Sequence, residues 1–325
     1  SFERRSSMNY RYLGQTKLHV SELGLGTMQF GWSVSETDSF DIISESIEHG
    51  INFIDTANIY SQWAEDNPGG TAETIIGRWL RKTSVPRDKL IIATKVRGQM
   101  GKDPNNQGLS KSHIVQAVED SLRRLQIDTI DLYQTHWPDE DISIDETLGA
   151  MDTLVTQGKV RYIGCSNYTT RSLIEALWSS EKNNTVQFHS LQPHYSLVNR
   201  TEYESDLSSV CKQYKLGVLP YSPLGGGFLT GKYHANKPLP KSVRANKAQN
   251  YMSDKNFQLI RTLESVAQLR NKSISQIALS WLLSQHEVTA PIIGPRTITQ
   301  LHDNLGSVEF QLTKPELEKI DKAST

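Results

Sequence analysis

Eight short apolar runs, each followed by a helix-patterned stretch, recur along this chain and leave few folds open to it. The runs are Glu22–Gly26, Ile51–Asp55, Leu90–Lys95, Thr129–Thr135, Val160–Cys165, Val186–Leu191, Gly217–Pro220 and Ala290–Ile293. They are rich in Ile, Val, Leu and Tyr and show little polar alternation, the pattern of strands covered on both faces. Helical spacing lies between them in Ser35–His49, Thr71–Lys82, Ser110–Leu125, Thr169–Ser179, Tyr203–Tyr214, Asp254–Leu269 and Ser273–Ser284, with another helix starting at Thr297. Ser35 is placed to cap the first of these. Ser143 and Glu146 have capping-box spacing ahead of Leu148, Met151 and Leu154. Right-handed crossovers leave an open doubly wound sheet or a closed barrel. Eight units in about 300 residues favour the α/β (β/α)8 TIM barrel. Tyr10–Leu13 and Leu18–Ser21, joined through Gly14-Gln15-Thr16, read as an N-terminal hairpin that plugs the barrel floor.

The 325 residues carry 35 basic and 36 acidic side chains, so the net charge of −1 gives no reason to expect nucleic acid or an anionic membrane as partner. A spanning helix needs about 18 consecutive apolar residues, and no such run occurs. Residues 1–7 hold two arginines with no apolar stretch behind them. They are expected to be a cloning remnant before a native start at Met8, with no signal peptide, and residues 8–325 to form one domain. Cys165 and Cys211 lie far apart without C-x-x-C spacing, which argues against a disulfide scaffold or a cysteine-zinc site and for the reducing cytoplasm. No oligomeric state is specified. Two connections are long enough to expect a function: Ser61–Gly70, and Gly225–Tyr251 with its Gly225-Gly226-Gly227 run.

In a barrel the C-terminal ends of all strands converge on one mouth. Asp55 ends the second run, Lys95 the third, and His136 follows the fourth. Ser166 and Asn167 follow the fifth, Gln192 the sixth, Tyr221 and Ser222 the seventh, and Gly294 and Arg296 the eighth. Each alone has an ordinary explanation as a strand end, loop packing or cap; their convergence with Tyr60 is the informative feature. A phenol of pKa about 10 is a sluggish proton donor at neutral pH, and a lysine ammonium beside it favours the phenolate. An aspartate can hold that lysine, and a histidine can hydrogen-bond a substrate oxygen. The set describes a general acid with its tuning groups, and it requires no metal.

Leu23-Gly24-Leu25-Gly26-Thr27-Met28, Asp55-Thr56-Ala57 with Tyr60, Lys95, and His136-Trp137-Pro138 resemble the aldo-keto reductase signature in order and spacing. So do Gly164-Cys165-Ser166-Asn167-Tyr168, Gln192-Pro193-His194-Tyr195-Ser196-Leu197, Tyr221 through Tyr233, and Gly294-Pro295-Arg296 through Asn304. The set is most similar to the branch holding potassium-channel β-subunit-like and bacterial stress-type reductases. The resemblance implies an NADP(H)-dependent reductase of aldehydes or ketones: hydride passes from nicotinamide C4 to a small-molecule carbonyl, and Tyr60 protonates the oxygen. Asp55 and Lys95 tune Tyr60, and His136 orients the carbonyl. One departure stands out. The family commonly has glycine after the catalytic tyrosine and a short connection; here Ser61-Gln62-Trp63 and a longer loop follow.

For the cofactor, the resemblance assigns contacts to Gly26, Thr27, Met28, Asp55, Ser222, Leu224, Gly226 and Gly294. Ser166, Asn167 and Gln192 suit a carboxamide, and Tyr221 suits stacking on the nicotinamide. The Gly225–Lys232 segment offers backbone N–H groups and the Lys232 cation to a pyrophosphate. Arg296, where the eighth strand hands over to a helix, suits a 2′-phosphate, which favours NADP over NAD. Gln300 and Asn304 are candidates for the adenosine, Gln300 also for capping with Thr297. No G-x-G-x-x-G follows a strand, so a Rossmann site is disfavoured. Trp32, Trp63 and Trp137 are candidate substrate-pocket walls. Two other readings stay open: a cofactor-sensing regulatory subunit with weak or vestigial turnover, and a phosphate-binding barrel using Lys95 as a Schiff-base amine.

Overall fold

A computed structural model describes residues 8–325; the expectation for residues 1–7 falls outside them. Among the described residues there are ten strands: β1 Tyr10–Tyr12, β2 His19–Ser21, β3 Gly24–Gly26, β4 Phe53–Asp55, β5 Ile91–Val96, β6 Ile130–Thr135, β7 Val160–Ser166, β8 Phe188–Gln192, β9 Gly217–Val218 and β10 Ile292–Ile293. β3 to β10 form one parallel sheet in the order β10-β3-β4-β5-β6-β7-β8-β9. The sheet closes on itself: Val218 bridges Val288, Thr289 N donates to Val218 O at 2.8 Å, and Ile292 N donates to Pro220 O at 2.8 Å. The eight expected runs therefore form a (β/α)8 barrel.

β1 and β2 pair antiparallel, Tyr10 opposite Ser21. Leu13, Leu18 and Val20 of this hairpin are buried with Phe53, Ile91, Ala93, Leu132, Leu219, Ala290 and Ile292, so the floor is a packed apolar plug. Burying each of the Leu, Val, Ile and Phe side chains among them contributes roughly 1.5–3 kcal/mol. Gly14 turns the hairpin at φ 54°, where a Cβ would lie 2.6 Å from His189 O. A second, larger core fills the space between the barrel and its helices, including Ile54, Ile92, Tyr133, Ile163 and Trp281.

The helix starts follow their capping residues. Ser35, Ser110, Thr169, Ser273 and Thr297 each accept a hydrogen bond from the backbone N–H three residues on. Two local expectations change, and one helix is new. Ser143 caps Ile144–Thr156, but the Glu146 carboxylate accepts from Lys111 N of the neighbouring helix at 3.0 Å instead of closing a box. The 203–214 helix is two pieces, Thr201–Glu204 and Leu207–Tyr214. Arg200 grips the Glu204 carboxylate at 2.6 and 2.8 Å, and the backbone leaves helical geometry at Asp206 (φ −136°). A C-terminal helix, Lys314–Ser324, closes the chain behind a Thr313–Glu316 capping box, a signal the sequence reading passed over.

Candidate active site

Strand register gathers the polar groups. Asp55 stands opposite Ala93, so Lys95, two residues further along β5, points to the same face. Lys95 stands opposite Gln134, and Ser166 opposite Gln192. Lys95 Nζ donates to Asp55 Oδ2 at 2.6 Å, to Thr56 O at 3.0 Å and to the Tyr60 hydroxyl at 2.9 Å. The other Asp55 oxygen accepts from Gln134 Nε2 at 3.0 Å and Gln192 Nε2 at 3.1 Å. His136 lies edge-on to Tyr60, ring centroids 5.9 Å apart. Asp55, Tyr60, Lys95 and His136 thus meet around one phenol.

Their electrostatics differ from the simple expectation. Burial pushes the Tyr60 phenol up; Lys95 pulls it down and Asp55 pushes it up again, and the net direction is upward. The anticipated lowering by lysine is present but outweighed by desolvation. Burial alone lowers the Lys95 ammonium, yet Asp55 and then Tyr60 carry it above the usual lysine range. A fully buried amine with three acceptors is held protonated, which removes the nucleophilic lone pair that a Schiff-base role requires. Burial, and secondarily Lys95, drives His136 well below the usual imidazole range, so it is neutral at pH 7. Its buried Nδ1 has no partner among the described residues.

A cleft of about 720 Å³ opens beside this cluster. All of the sequence's candidate cofactor positions line it, from Gly26, Thr27 and Met28 through Ser222, Leu224 and Gly226 to Gln300 and Asn304. Several polar groups are engaged with the protein itself. The Ser166 hydroxyl donates to Gln192 O at 2.8 Å, and Asn167 Nδ2 donates to His136 O at 3.0 Å. Asn167 Oδ1 accepts from the Tyr221 hydroxyl at 2.6 Å. Asn167 (φ 58°) and Ser222 (φ 50°) sit in the left-handed region, a strain that cleft walls commonly carry. Tyr221 stacks on His194 at 5.1 Å and 11°. Gln300 Oε1 accepts from Arg296 N at 2.8 Å, while its own backbone N–H donates to Thr297.

Trp137 lines the cleft under the Arg97 guanidinium, 5.5 Å away. Trp32 and Trp63 are outside its lining; they meet edge-on at 5.5 Å, and Trp63 stands 6.2 Å from the Tyr60 ring. Ser61 takes the conformation that explains the family's glycine. It is buried at φ 74°, and its hydroxyl donates to Phe30 O at 2.5 Å.

Sequence reasoning missed Gln134, Arg244 and Lys247. Gln134 could have been found two residues before His136 on an inward-facing strand. Arg244 and Lys247 sit in the long Gly225–Tyr251 connection, where the short helix Ala245–Gln249 turns back onto the cleft. Arg244 is half-buried, and its inaccessible Nε has no partner among the described residues. Burial, and then Arg296, push its guanidinium down to about 10, and burial likewise leads the lowering of Lys232 and Lys247. Among the described residues, none of Lys232, Arg244, Lys247 and Arg296 pairs with a carboxylate. Four crowded cations without counter-charge fit a phosphate-bearing ligand. Gly226 (φ 63°) brings the backbone close there; a Cβ would lie 3.0 Å from Lys247 Cβ.

Fold and site define a barrel enzyme of the oxidoreductase class. The chain belongs to the aldo/keto reductase family, whose model matches residues 22–325. It is 39% identical over 319 residues to "Uncharacterized oxidoreductase YrpG" of Bacillus subtilis (strain 168), covering 97% of this chain and 95% of that protein. It is 33% identical over 337 residues to "Protein tas" of Escherichia coli (strain K12), covering 97% of each. With "L-glyceraldehyde 3-phosphate reductase" of Escherichia coli (strain K12) it shares 32% over 334 residues, 98% of this chain and 93% of that protein. The family reduces carbonyl groups and generally uses nicotinamide cofactors. Among the described residues, no helix is long and apolar enough to cross a membrane.

Proposed function

We propose that this chain is an NADP(H)-dependent reductase of aldehydes or ketones in which Tyr60 delivers the proton. The observation that carries this reading is the pairing of two features in one cleft. At one end a phenol lies 2.9 Å from a buried ammonium, and along the wall lie four cations lacking acidic partners.

A bound nicotinamide would supply a hydride to the carbonyl carbon. Tyr60, kept protonated by burial, donates to the carbonyl oxygen as charge develops there. Lys95 stabilises the phenolate left behind, which lowers the barrier without ionising the phenol beforehand. Asp55, fixed by Gln134 and Gln192, holds the ammonium in place. Neutral His136 is a hydrogen-bonding group that orients the carbonyl and does not compete as an acid. Lys232, Arg244, Lys247 and Arg296 bind the phosphates, with Arg296 favouring the 2′-phosphate of NADP. Trp137 walls the substrate side, with Trp63, packed edge-on against Trp32, beside the Tyr60 ring. The substrate is a small carbonyl compound, and neither nucleic acid nor membrane is a partner. Two unpaired buried cysteines, Cys165 and Cys211, suit the cytoplasm.

The test follows NADPH absorbance with a carbonyl panel that includes a phosphorylated aldehyde, and compares wild type with Tyr60→Phe. The variant should lose turnover by about 10²–10⁴-fold while binding NADPH as before. Equal loss of turnover and cofactor affinity would overturn the proton-donor assignment. Saturable NADPH binding by wild type with no turnover on any carbonyl would instead favour a regulatory subunit.

A further inference from the structure

Outside the cleft, the helix Ile298–Leu305 packs beside Glu36–Glu48, and three side chains converge at their junction. Glu45 and His49 are one turn apart and share a face. His302 Nε2 lies 2.6 Å from Glu45 Oε1, and His49 Nδ1 lies 3.5 Å from the same oxygen. The two imidazoles are tilted together with centroids 5.3 Å apart. A donor atom from each of the three residues falls within 4.8 Å of the others. We propose that Glu45, His49 and His302 form a binding site for a divalent transition-metal ion of the zinc type.

The donor chemistry selects the class. Two imidazole nitrogens and one carboxylate oxygen are borderline ligands suited to zinc, nickel or copper; magnesium and calcium prefer all-oxygen shells. Zinc bonds of about 2.0–2.2 Å require donors separated by roughly 3.3–3.5 Å around a tetrahedron, close to the spacing already present. The Glu45–His302 hydrogen bond must open by under an ångström, and side chains 27%, 41% and 50% exposed for Glu45, His49 and His302 can move that far. His49 Nδ1 also lies 2.9 Å from the Glu45 main-chain carbonyl, and that contact gives way when Nδ1 binds the ion. With both imidazoles neutral the cluster carries one negative charge, which a dication neutralises. Three protein ligands leave a fourth position for water on the exposed side. The ion clips the two helices together from the surface, and none of its three ligands lines the cleft.

The experiment titrates zinc chloride into EDTA-stripped, tag-free full-length protein by calorimetry, with magnesium in parallel, and records the thermal midpoint with and without zinc. We expect one zinc per chain, a zinc-dependent rise in midpoint and no magnesium binding. Glu45→Gln and His302→Ala should each weaken zinc binding by about tenfold or more. Their circular dichroism should match wild type and their zinc-free midpoints should stay close to it, because the side chains are partly exposed and such ion pairs contribute about 0–1 kcal/mol. Equal zinc stoichiometry and affinity in wild type and a His49→Ala/His302→Ala double variant would overturn the site. No heat and no midpoint shift at saturating zinc would overturn it equally.

Discussion

The Lys95 ammonium and the Tyr60 hydroxyl meet at 2.9 Å although 35 residues separate them, and the phenol is nonetheless held above its ordinary pKa. The ammonium's pull on Tyr60 is smaller than the cost of burying a phenolate. Tyr60 therefore keeps its proton until charge develops on a neighbouring oxygen. Lys95 is held charged by Asp55 at 2.6 Å, with both side chains essentially inaccessible.

Lys95→Met tests that arrangement. It leaves the Asp55 carboxylate buried without its cation, and breaking such a pair costs about 3–5 kcal/mol. Urea unfolding should show that loss, and carbonyl reduction should fall by about 10²-fold or more. Adding Asp55→Asn should recover much of the stability and none of the activity. A double variant no more stable than Lys95→Met would show that the uncompensated carboxylate is not the cause.

Arg244→Met should separate stability from binding. Wild-type Arg244 is half-buried beside Arg296, its inaccessible Nε without a partner among the described residues and its guanidinium pushed down to about 10. Removing the cation relieves desolvation and like-charge repulsion in the ligand-free protein. The thermal midpoint without cofactor should rise by about 2 °C. NADPH affinity should fall by about 10–100-fold, since a charge-assisted hydrogen bond is lost. A lower midpoint together with unchanged NADPH affinity would mean that Arg244 is a structural side chain.

His136 gives stability a pH dependence whose sign is fixed. Burial and Lys95 depress its folded-state pKa, so on acidification the unfolded chain takes up a proton near the ordinary value of about 6.5 while the folded chain does not. Stability is full above that value, falls as pH drops toward the depressed pKa, and levels off below it. The slope is at most about 1.4 kcal/mol per pH unit. His113, His189 and His194 are also lowered by burial and share the effect, so the readout is the difference from wild type. His136→Asn should flatten part of the decline in urea midpoints between pH 7 and pH 5. Parallel curves for the two proteins would refute the assignment.

Ser61 tests the loop after Tyr60. Ser61→Ala keeps the positive φ and removes the buried hydrogen bond to Phe30 O, for a loss of about 1–2 kcal/mol. Ser61→Gly removes the same bond but relieves roughly 1 kcal/mol of left-handed strain, so it should be the milder change. Chemical denaturation ranks them; the reverse order would show that strain at this position is negligible.

The barrel was legible in the chain because strand periodicity, capping residues and turn glycines are local. Glu22–Gly26, Ile51–Asp55 and the other runs reappear as β3 to β10 within a few residues, and Ser35 and Thr297 cap where capping chemistry requires. The rim positions Asp55, Lys95, Ser166 and Gln192 were legible for a related reason: a residue at a strand's C-terminal end has only one mouth to face. The unmade half of the Ser143 box was not legible, since Lys111 N on a neighbouring helix takes the Glu146 carboxylate.

The sequence by itself determined the eight strand–helix units, the residue types at the mouth and the hairpin that seals the floor. Tertiary structure alone decided which polar atoms touch, that desolvation outweighs lysine in setting the Tyr60 phenol, and that Arg244 folds back from a long connection to crowd Arg296. Local propensity acts over a few neighbouring residues. Burial and charge proximity depend on distances between segments 35 to 137 positions apart, which exist only after the barrel has closed.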